Sequence, residues 1–162
     1  MILAEPPQSP AVLYPTTMSS TLTSHTLATA GRNQLLDVTD IVRRVVRDQR
    51  VLDGMAIVYI PHTTAAVTIN ENADPDVQHD ILAKLESLVP HRESYYLHAE
   101  GNSDSHVKTS LVGNSVIVLI EHGRLVLGQW QGIYFCEFDG PRQRQMLVRL
   151  VDFGVPSTAA GP

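Results

Sequence analysis

The sequence contains one cysteine, no long apolar run and fewer basic than acidic side chains, and each shortage excludes a class of protein. Cys136 cannot form a disulfide within the chain or build a cysteine-rich zinc site, and we expect it to be buried in a strand. No apolar run reaches the roughly 18 residues that a membrane helix needs. The chain has 12 basic and 17 acidic residues and a net charge of -5. A nucleic-acid partner is disfavoured, because general nucleic-acid binders neutralise phosphates with a basic surface.

Standard catalytic motifs are also absent. The sequence has no glycine-rich dinucleotide loop after a strand, no Walker loop, no GxSxG nucleophile elbow and no HExxH zinc helix. The N-terminal residues lack a basic region followed by a clean apolar core, so we predict no signal peptide and a cytoplasmic location. The 43% hydrophobic and 18% charged residues are typical of a globular domain with a sizeable core.

The hydrophobic pattern predicts an α+β fold with a largely antiparallel sheet. Residues 1–20 contain four prolines and no periodicity, so we predict a disordered tail there. The pattern then predicts a strand at 21–30, a helix at 35–49 with Thr39 or Asp40 as N-cap, and strands at 55–60 and 65–70. A helix is expected from the N-cap Asp74 to Pro90, with a buried stripe of Val77, Ile81, Leu82, Leu85 and Leu88. Strands at 115–121, 124–128, 133–138 and 144–151 complete the domain.

The segment from His98 to Gly113, HAEGNSDSHVKTSLVG, is unusually rich in polar side chains. Its second half predicts a short helix with Ser103 or Asp104 as N-cap and Gly113 as a left-handed C-cap residue. A ligand-rich loop that leads into a helix N-terminus suits an anion or a metal ion.

Helical spacing divides the side chains of this short helix between two faces. Val107 and Leu111 lie four residues apart and are expected to pack the helix against the domain. His106 and Ser110 share another face, which we expect to be free for function.

Three histidines are candidates for a site. His62 follows a buried strand in the sequence PHTT, where it faces a cleft or simply makes a hydrogen bond at a strand end. His98 and His106 flank a loop that contains Glu100 and Asn102, and such ligands suit zinc or a similar divalent ion. The spacing matches no standard metal motif, so a solvated loop is an equal alternative.

Several cations and one aromatic residue complete the candidates. Lys108 and Arg124 are the cations most suited to a phosphate, with an ordinary surface charge as the alternative for each. Trp130 lies between glycines and glutamines, which favours a pocket or a subunit contact as much as a core position. The basic face of the first helix is expected to be solvated: Arg43, Arg44 and Arg47.

Three segments together resemble the signature blocks of the YjbQ family, also called UPF0047. They are HTTAAVTINENADPDVQHDI, HAEGNSDSHVKTSLVG and GRLVLGQWQGIYFCEFDGPR, in the order that the family has them. The resemblance covers residues 20–152, and Gln129 stands where threonine is common. We therefore assign residues 21–154 to a YjbQ-like domain and residues 155–162 to a flexible C-terminus.

The resemblance implies a single α+β domain with a curved sheet, a homotrimer, and activity as a secondary thiamine-phosphate synthase, with metal binding in some members. That reaction joins a pyrimidine pyrophosphate to a thiazole phosphate, as a main or a secondary activity. The implied catalytic residues are His62, Glu71 and His106. The implied substrate or phosphate contacts are Thr63, Asn70, Asp80, Glu100, Asn102, Lys108, Ser110, Trp130 and Gln131. A divalent ion, zinc or magnesium, is expected on His62, His98 and His106.

Two other hypotheses compete with a transferase. The same polar cluster suits a non-enzymatic module that binds a metal or an anion, and it also suits a purely structural contact between subunits. Bound metal, turnover of a phosphorylated substrate and the oligomeric state of a His106 variant distinguish the three.

Overall fold

The computed structural model describes residues 19–154, so the predicted tails lie outside the described residues except for Ser19 and Ser20, which belong to the first strand. The strands are β1 Ser19–Ala28, β2 Gln34–Asp37, β3 Gly54–Tyr59, β4 Ala65–Glu71, β5 Ser115–Glu121, β6 Arg124–Leu125, β7 Gln131–Glu137 and β8 Gln143–Asp152. The helices are α1 Thr39–Gln49, α2 Pro75–Leu88 and α3 Ser103–Val112.

The strands form two antiparallel sheets, which confirms the predicted α+β class. One sheet has the order β1-β8-β3-β5-β6 and the other the order β2-β7-β4. Alternate side chains point inward, as the pleat of a strand requires. Leu150, Ala56 and Val118 are aligned across β8, β3 and β5, and all three are buried. Val42 and Val46 of α1 pack into the same core.

The start of the first helix differs from the prediction. Residues 34–37 pair with β7 as strand β2, and α1 begins only at Thr39. The Asp37 carboxylate accepts the backbone N–H of Thr39 at 2.8 Å and its hydroxyl at 2.5 Å. The residue at the N-cap position is Val38, so neither Thr39 nor Asp40 is the cap. Leu35 and Leu36 fit the apolar stripe of a helix as well as they fit a short strand, so the hydrophobic pattern alone did not distinguish the two.

The second helix begins as predicted but packs less deeply. Asp74 is the N-cap, and its carboxylate accepts the N–H of Asp76 at 2.9 Å. The predicted buried stripe is wrong, because no residue of α2 is buried and Leu88 is exposed. Leu82 and Leu85 make its main apolar contact, with a small cluster on the three-stranded sheet. The helix therefore covers only part of that sheet.

The third helix is buried on the opposite face from the one expected. Val107 and Leu111 are 41% and 63% exposed, so they do not hold the helix down. Its buried residues are polar: Asp104, Ser105, Lys108 and Thr109. The N-cap position is occupied by Asn102 rather than by Ser103 or Asp104. Gly113 ends the helix with a positive φ of 101° but a ψ of 157°, which is outside the left-handed helical region.

The remaining strands match the prediction except around Trp130. β6 is shorter than expected, with two residues, and β7 already begins at Gln131. Cys136 is buried in β7, as expected, and burial raises the pKa of its thiol to about 12. No helix within residues 19–154 is both long and apolar enough to cross a membrane.

Candidate functional site

A cleft between the end of β3 and helix α3 brings together two of the predicted catalytic residues. We call it the His62–His106 cleft, and its volume is about 440 Å³. Tyr59 is one of its lining residues, and its polar lining side chains are His62, Thr63, His106, Thr109, Ser110 and Asn114. A volume of this size suits a small organic ligand.

Asn114 fixes the position of His62 relative to α3. Its side-chain amide donates to the carbonyl oxygens of Ile60, His62 and Ala65 at 3.2, 2.9 and 3.4 Å. Its own carbonyl oxygen accepts the N–H of Ile60 at 2.8 Å. The chain that leaves β3 is therefore held against the segment that follows α3, and both histidines line the same cleft.

The imidazole of His62 is neutral and has a defined tautomer. Nε2 accepts the backbone N–H of Gln145 at 2.8 Å, so in the neutral ring the proton is on Nδ1. Burial, together with the positive charge of Arg144, lowers the pKa of His62 below its ordinary value. Nδ1–H is therefore a hydrogen-bond donor that stays neutral.

Thr109 gives the cleft an unused hydrogen-bonding group. Its side chain lines the cleft and is only 3% exposed, yet Oγ1 has no hydrogen-bond partner among residues 19–154. The neighbouring Ser110 hydroxyl donates to the His106 carbonyl at 2.9 Å. An unpaired buried hydroxyl costs about 1–3 kcal/mol, so a ligand or water that pairs with it is favoured.

The three histidines predicted as metal ligands do not form one group of ligands within residues 19–154. The rings of His98 and His106 are close, with centroids 5.3 Å apart in an edge-to-face geometry. However, Nε2 of His62 is already occupied by the Gln145 N–H, and no group of three potential ligands occurs within the described range. Zinc sites normally use three or four protein ligands. The zinc or magnesium ion remains a prediction without a complete ligand set in one chain.

The third predicted catalytic residue lies far from the cleft. Glu71 is at the distal end of β4, about 20 Å along the strand from the end that follows His62. Asn70 and Glu71 pair with Gly132 and Gln131 of β7. The exposed Trp130 adjoins this end.

Asp80 is also outside the cleft. It is exposed on α2, with its nearest ionic partner the neighbouring His79 at 3.3 Å. One chain therefore gathers His62, Thr63, His106 and Ser110, but not Glu71, Asn70, Asp80, Trp130 or Gln131.

Lys108 is not available as a phosphate ligand in this arrangement. The side chain is 1% exposed, and its ammonium group donates to Glu86 at 2.5 Å and to Asp104 at 3.0 Å. Asp104 is fully buried and also accepts from Arg32 at 2.8 Å. Burial alone would raise the pKa of Asp104, but the hydrogen bonds from Lys108 and His91 hold it below its ordinary value. The ammonium group of Lys108 is therefore paired with carboxylates that hold α3 against α2.

Asn102 extends this ion network to the turn before β8. Its amide donates to Asp139 at 2.9 Å and to Glu100 at 3.4 Å. Asp139 also pairs with Arg32 at 3.3 Å and with Arg142 at 2.6 Å. Of the predicted contacts, Glu100 lines a second, open cavity of about 490 Å³ together with Arg32 and His98, whereas Asn102 is buried and does not line it.

The comparison of the whole chain with known families agrees with the three sequence blocks. Residues 23–152 match the model of the family described as UPF0047 protein YjbQ-like. The chain belongs to the YjbQ/UPF0047 family. A UPF0047 protein of Methanocaldococcus jannaschii is 47% identical over 130 residues, which cover 80% of this chain and 94% of the relative.

Solved structures of YjbQ-family proteins share the fold. A family member from Clostridium acetobutylicum has a TM-score of 0.78 and 51% identity, and the match covers 79% of this chain and 98% of that one. A YbjQ-like protein of unknown function from Sulfolobus solfataricus has a TM-score of 0.80 and 28% identity, with 84% and 99% covered. These comparisons show the family and the fold, and they assign no reaction.

Sequence reasoning missed three side chains that build the site in this YjbQ-family chain. Thr109 and Asn114 line the cleft, and Arg32 joins Asp104 to Asp139. Thr109 adjoins the predicted Ser110, and Asn114 follows the predicted cap Gly113, so position in the chain was a usable signal for these two. Arg32 lies in a turn far from α3, and no local pattern marks it.

Proposed function

We propose that this YjbQ-family protein is an enzyme that binds a small phosphorylated substrate in the His62–His106 cleft. The observation that carries the proposal is that one cleft is lined by two residues whose donors have no partner among residues 19–154, Nδ1–H of His62 and the buried hydroxyl of Thr109. Neutral donors in a site of low dielectric stabilise an oxyanion more strongly than water-exposed donors do. Thr63 adds a further hydroxyl to the lining.

The reaction that we propose is the one that the family resemblance implies, thiamine-phosphate synthase-type transfer, as the main or a secondary activity. The bond between the pyrimidine methylene and the pyrophosphate oxygen breaks, and pyrophosphate leaves with the electron pair. The thiazole nitrogen forms the new bond to that methylene carbon. Charge therefore develops on the departing pyrophosphate oxygen, where the donors from His62 and Thr109 would act. His106 is proposed as the second polar group on the substrate.

The test is an assay of the purified full chain with hydroxymethylpyrimidine pyrophosphate and thiazole phosphate. Thiamine phosphate is detected by oxidation to fluorescent thiochrome after chromatography. We expect His62→Ala and His106→Ala to lower kcat about a hundredfold, as expected for the loss of an oxyanion donor or proton-transfer group. His79→Ala is the matched control, because His79 is an exposed histidine on α2.

The outcomes separate the competing functions. If His62→Ala and His106→Ala both form thiamine phosphate at the wild-type rate, the cleft is not the site of the reaction. Tight binding of pyrophosphate without turnover of either substrate would favour the non-enzymatic binding module instead. Dissociation of His106→Ala on a sizing column, with binding otherwise intact, would favour a structural role for that histidine.

We also propose that the protein assembles with copies of itself, three according to the family resemblance, through one face of the five-stranded sheet. We call this the outer sheet face. Ile57 of β3 and Ile117 of β5 are aligned on it, and Leu119 follows on the same side of β5. Ile117 and Leu119 are 61% and 56% exposed. A solvated face of an antiparallel sheet is normally polar, and a contiguous exposed apolar patch is typical of an interface.

The outer sheet face is continuous with the cleft. Tyr59, the last residue of β3, is exposed beside Ser115 of β5 and also lines the His62–His106 cleft. A neighbouring copy on this face would therefore lie next to the cleft and would help to exclude water from it.

A further inference from the structure

We propose a second anion site, separate from the cleft, in a pocket between α1 and the β5–β6 turn that takes a small phosphorylated molecule. We call it the arginine pocket, and its volume is about 330 Å³. It is lined by Arg43, Val46, Arg47, Gly123, Arg124 and Leu125. Half of these residues are arginines and none is a carboxylate, although the chain as a whole is acidic.

Two of the three arginines that line this pocket have no carboxylate partner among residues 19–154. Arg47 and Arg124 form no ion pair at 4.0 Å or less with any residue in the described part of the chain. Arg43 pairs only with Asp40 at 3.1 Å, and both side chains are largely exposed, so that pair contributes little. By contrast, Arg32 and Arg144 pair with the buried carboxylates of Asp104 and Glu137.

The backbone holds these charges together. Arg43 and Arg47 lie four residues apart on one face of α1, where like charges repel each other. Between them Val46 is buried in the core, and Leu125 of β6 packs against the same core, so the two walls cannot easily separate. A bound anion would relieve the repulsion that the fold otherwise maintains. Guanidinium groups bind phosphate oxygens in pairs of parallel hydrogen bonds, which favours a phosphate over a carboxylate of lower charge.

Neither the dipole of α1 nor an ion pair with Glu121 changes the charge that the three arginines offer to an anion. Arg47 lies in the last turn of α1, where the helix dipole is negative, so the helix itself does not attract the ligand. Glu121 lies opposite Arg124 in the β5–β6 pairing but forms no ion pair with it within 4.0 Å. The site therefore depends on the three guanidinium groups, and removing one of them should weaken it strongly.

The experiment is a titration of the full chain with inorganic pyrophosphate at low ionic strength, followed by NMR through assigned backbone amides. Two sets of amides are compared: Gly123 and Leu125 report on the arginine pocket, and Thr109 and Asn114 report on the cleft. We expect Arg124→Gln to raise about tenfold the pyrophosphate dissociation constant that the shifts of Gly123 and Leu125 report, because charge-assisted hydrogen bonds are lost. The response of Thr109 and Asn114 should not change.

Arg44→Gln is the matched control. It removes the same charge from the same helix, but Arg44 does not line the pocket. If Arg44→Gln and Arg124→Gln lower the affinity for pyrophosphate equally, the effect comes from net charge rather than from a site, and the proposal is overturned. It is also overturned if pyrophosphate shifts only the cleft amides, or if Gly123 and Leu125 do not shift at millimolar pyrophosphate. A thermal scan of each variant confirms that the fold is retained.

Discussion

Gln145 donates its backbone N–H to Nε2 of His62 at 2.8 Å, at a point where β8 still pairs with β1 but no longer with β3. β3 ends at Tyr59, which is paired with Leu147, so the N–H of Gln145 has no strand neighbour on that side. The imidazole takes the place of a strand carbonyl. The same hydrogen bond thus decides that Nδ1, and not Nε2, carries the proton of the neutral His62 ring.

The first prediction concerns the protonation of this ring. At a pH of about 7.5 we expect long-range proton–nitrogen NMR spectra to show Nε2 of His62 unprotonated and Nδ1 protonated. His79, which is exposed, supplies an internal reference without a backbone donor on its ring. A His62 ring with its proton on Nε2 would contradict the assigned tautomer and would free Nδ1 to bind a metal.

The second prediction is a dependence of stability on pH. Burial lowers the pKa of His62 in the folded chain below its ordinary value of about 6.5, so around and below that pH the unfolded chain binds more protons than the folded chain. The free energy of unfolding should fall as the pH is lowered from about 6.5 towards the folded pKa. It should rise again when the pH is brought back to about 6.5. Urea unfolding of His62→Gln should show a shallower slope than wild type in this range. His25, whose pKa is also lowered by burial, leaves part of the slope in place; an unchanged slope in His62→Gln would contradict the prediction.

Local chemistry in the sequence was sufficient for the parts of the fold that depend on neighbours in the chain. Asp74 and Pro75 predict the start of α2 because a helix cap is made within one turn. The burial of α3 was mispredicted because its partners are remote. Glu86 is 22 residues from Lys108, and Arg32 is 72 residues from Asp104. A polar helix face can be buried only where remote residues supply ion-pair partners for it. The spacing of apolar residues within the helix does not reveal those partners.

The candidate site divides in the same way. His62 and His106 were predicted, and one cleft unites them. Glu71 was grouped with them from the family blocks, yet the whole of β4 separates it from His62. Sequence blocks show which residues a family uses, but they do not show at which end of a strand each residue lies or whether two ends meet in an assembly.

The third prediction uses the unpaired hydroxyl of Thr109. Replacing it in Thr109→Val removes a buried group without a partner among residues 19–154, so we expect the free energy of unfolding to rise by about 1 kcal/mol. The same change should lower thiamine-phosphate formation, because the proposed donor to the substrate is lost. Thr109→Ser keeps the hydroxyl and should retain most of the activity. Urea unfolding and the thiochrome assay measure the two effects; a destabilised but fully active valine variant would contradict both.

The fourth prediction concerns the ion pair beneath α3. Lys108→Met leaves Asp104 buried with fewer partners, and we expect a loss of about 3 kcal/mol in the free energy of unfolding. The double variant Lys108→Met with Asp104→Asn should recover part of that loss, since the uncompensated charge is removed. Urea unfolding of the two single variants and the double variant gives the coupling energy. Additive effects would show that the two side chains do not interact as the 3.0 Å distance requires.

The last prediction tests the outer sheet face. Ile117→Lys places a charge at an exposed apolar position in the middle of β5, where the side chain makes no core contact. If copies of the chain cover this face, the charge must be desolvated in the assembly, and the substitution should convert the oligomer to a monomer without lowering its content of secondary structure. Light scattering coupled to size exclusion measures the mass, with Val107→Lys on the exposed side of α3 as the matched control. A wild-type protein that already runs as a monomer, or an Ile117→Lys variant that keeps the wild-type mass, would show that this face is not the interface.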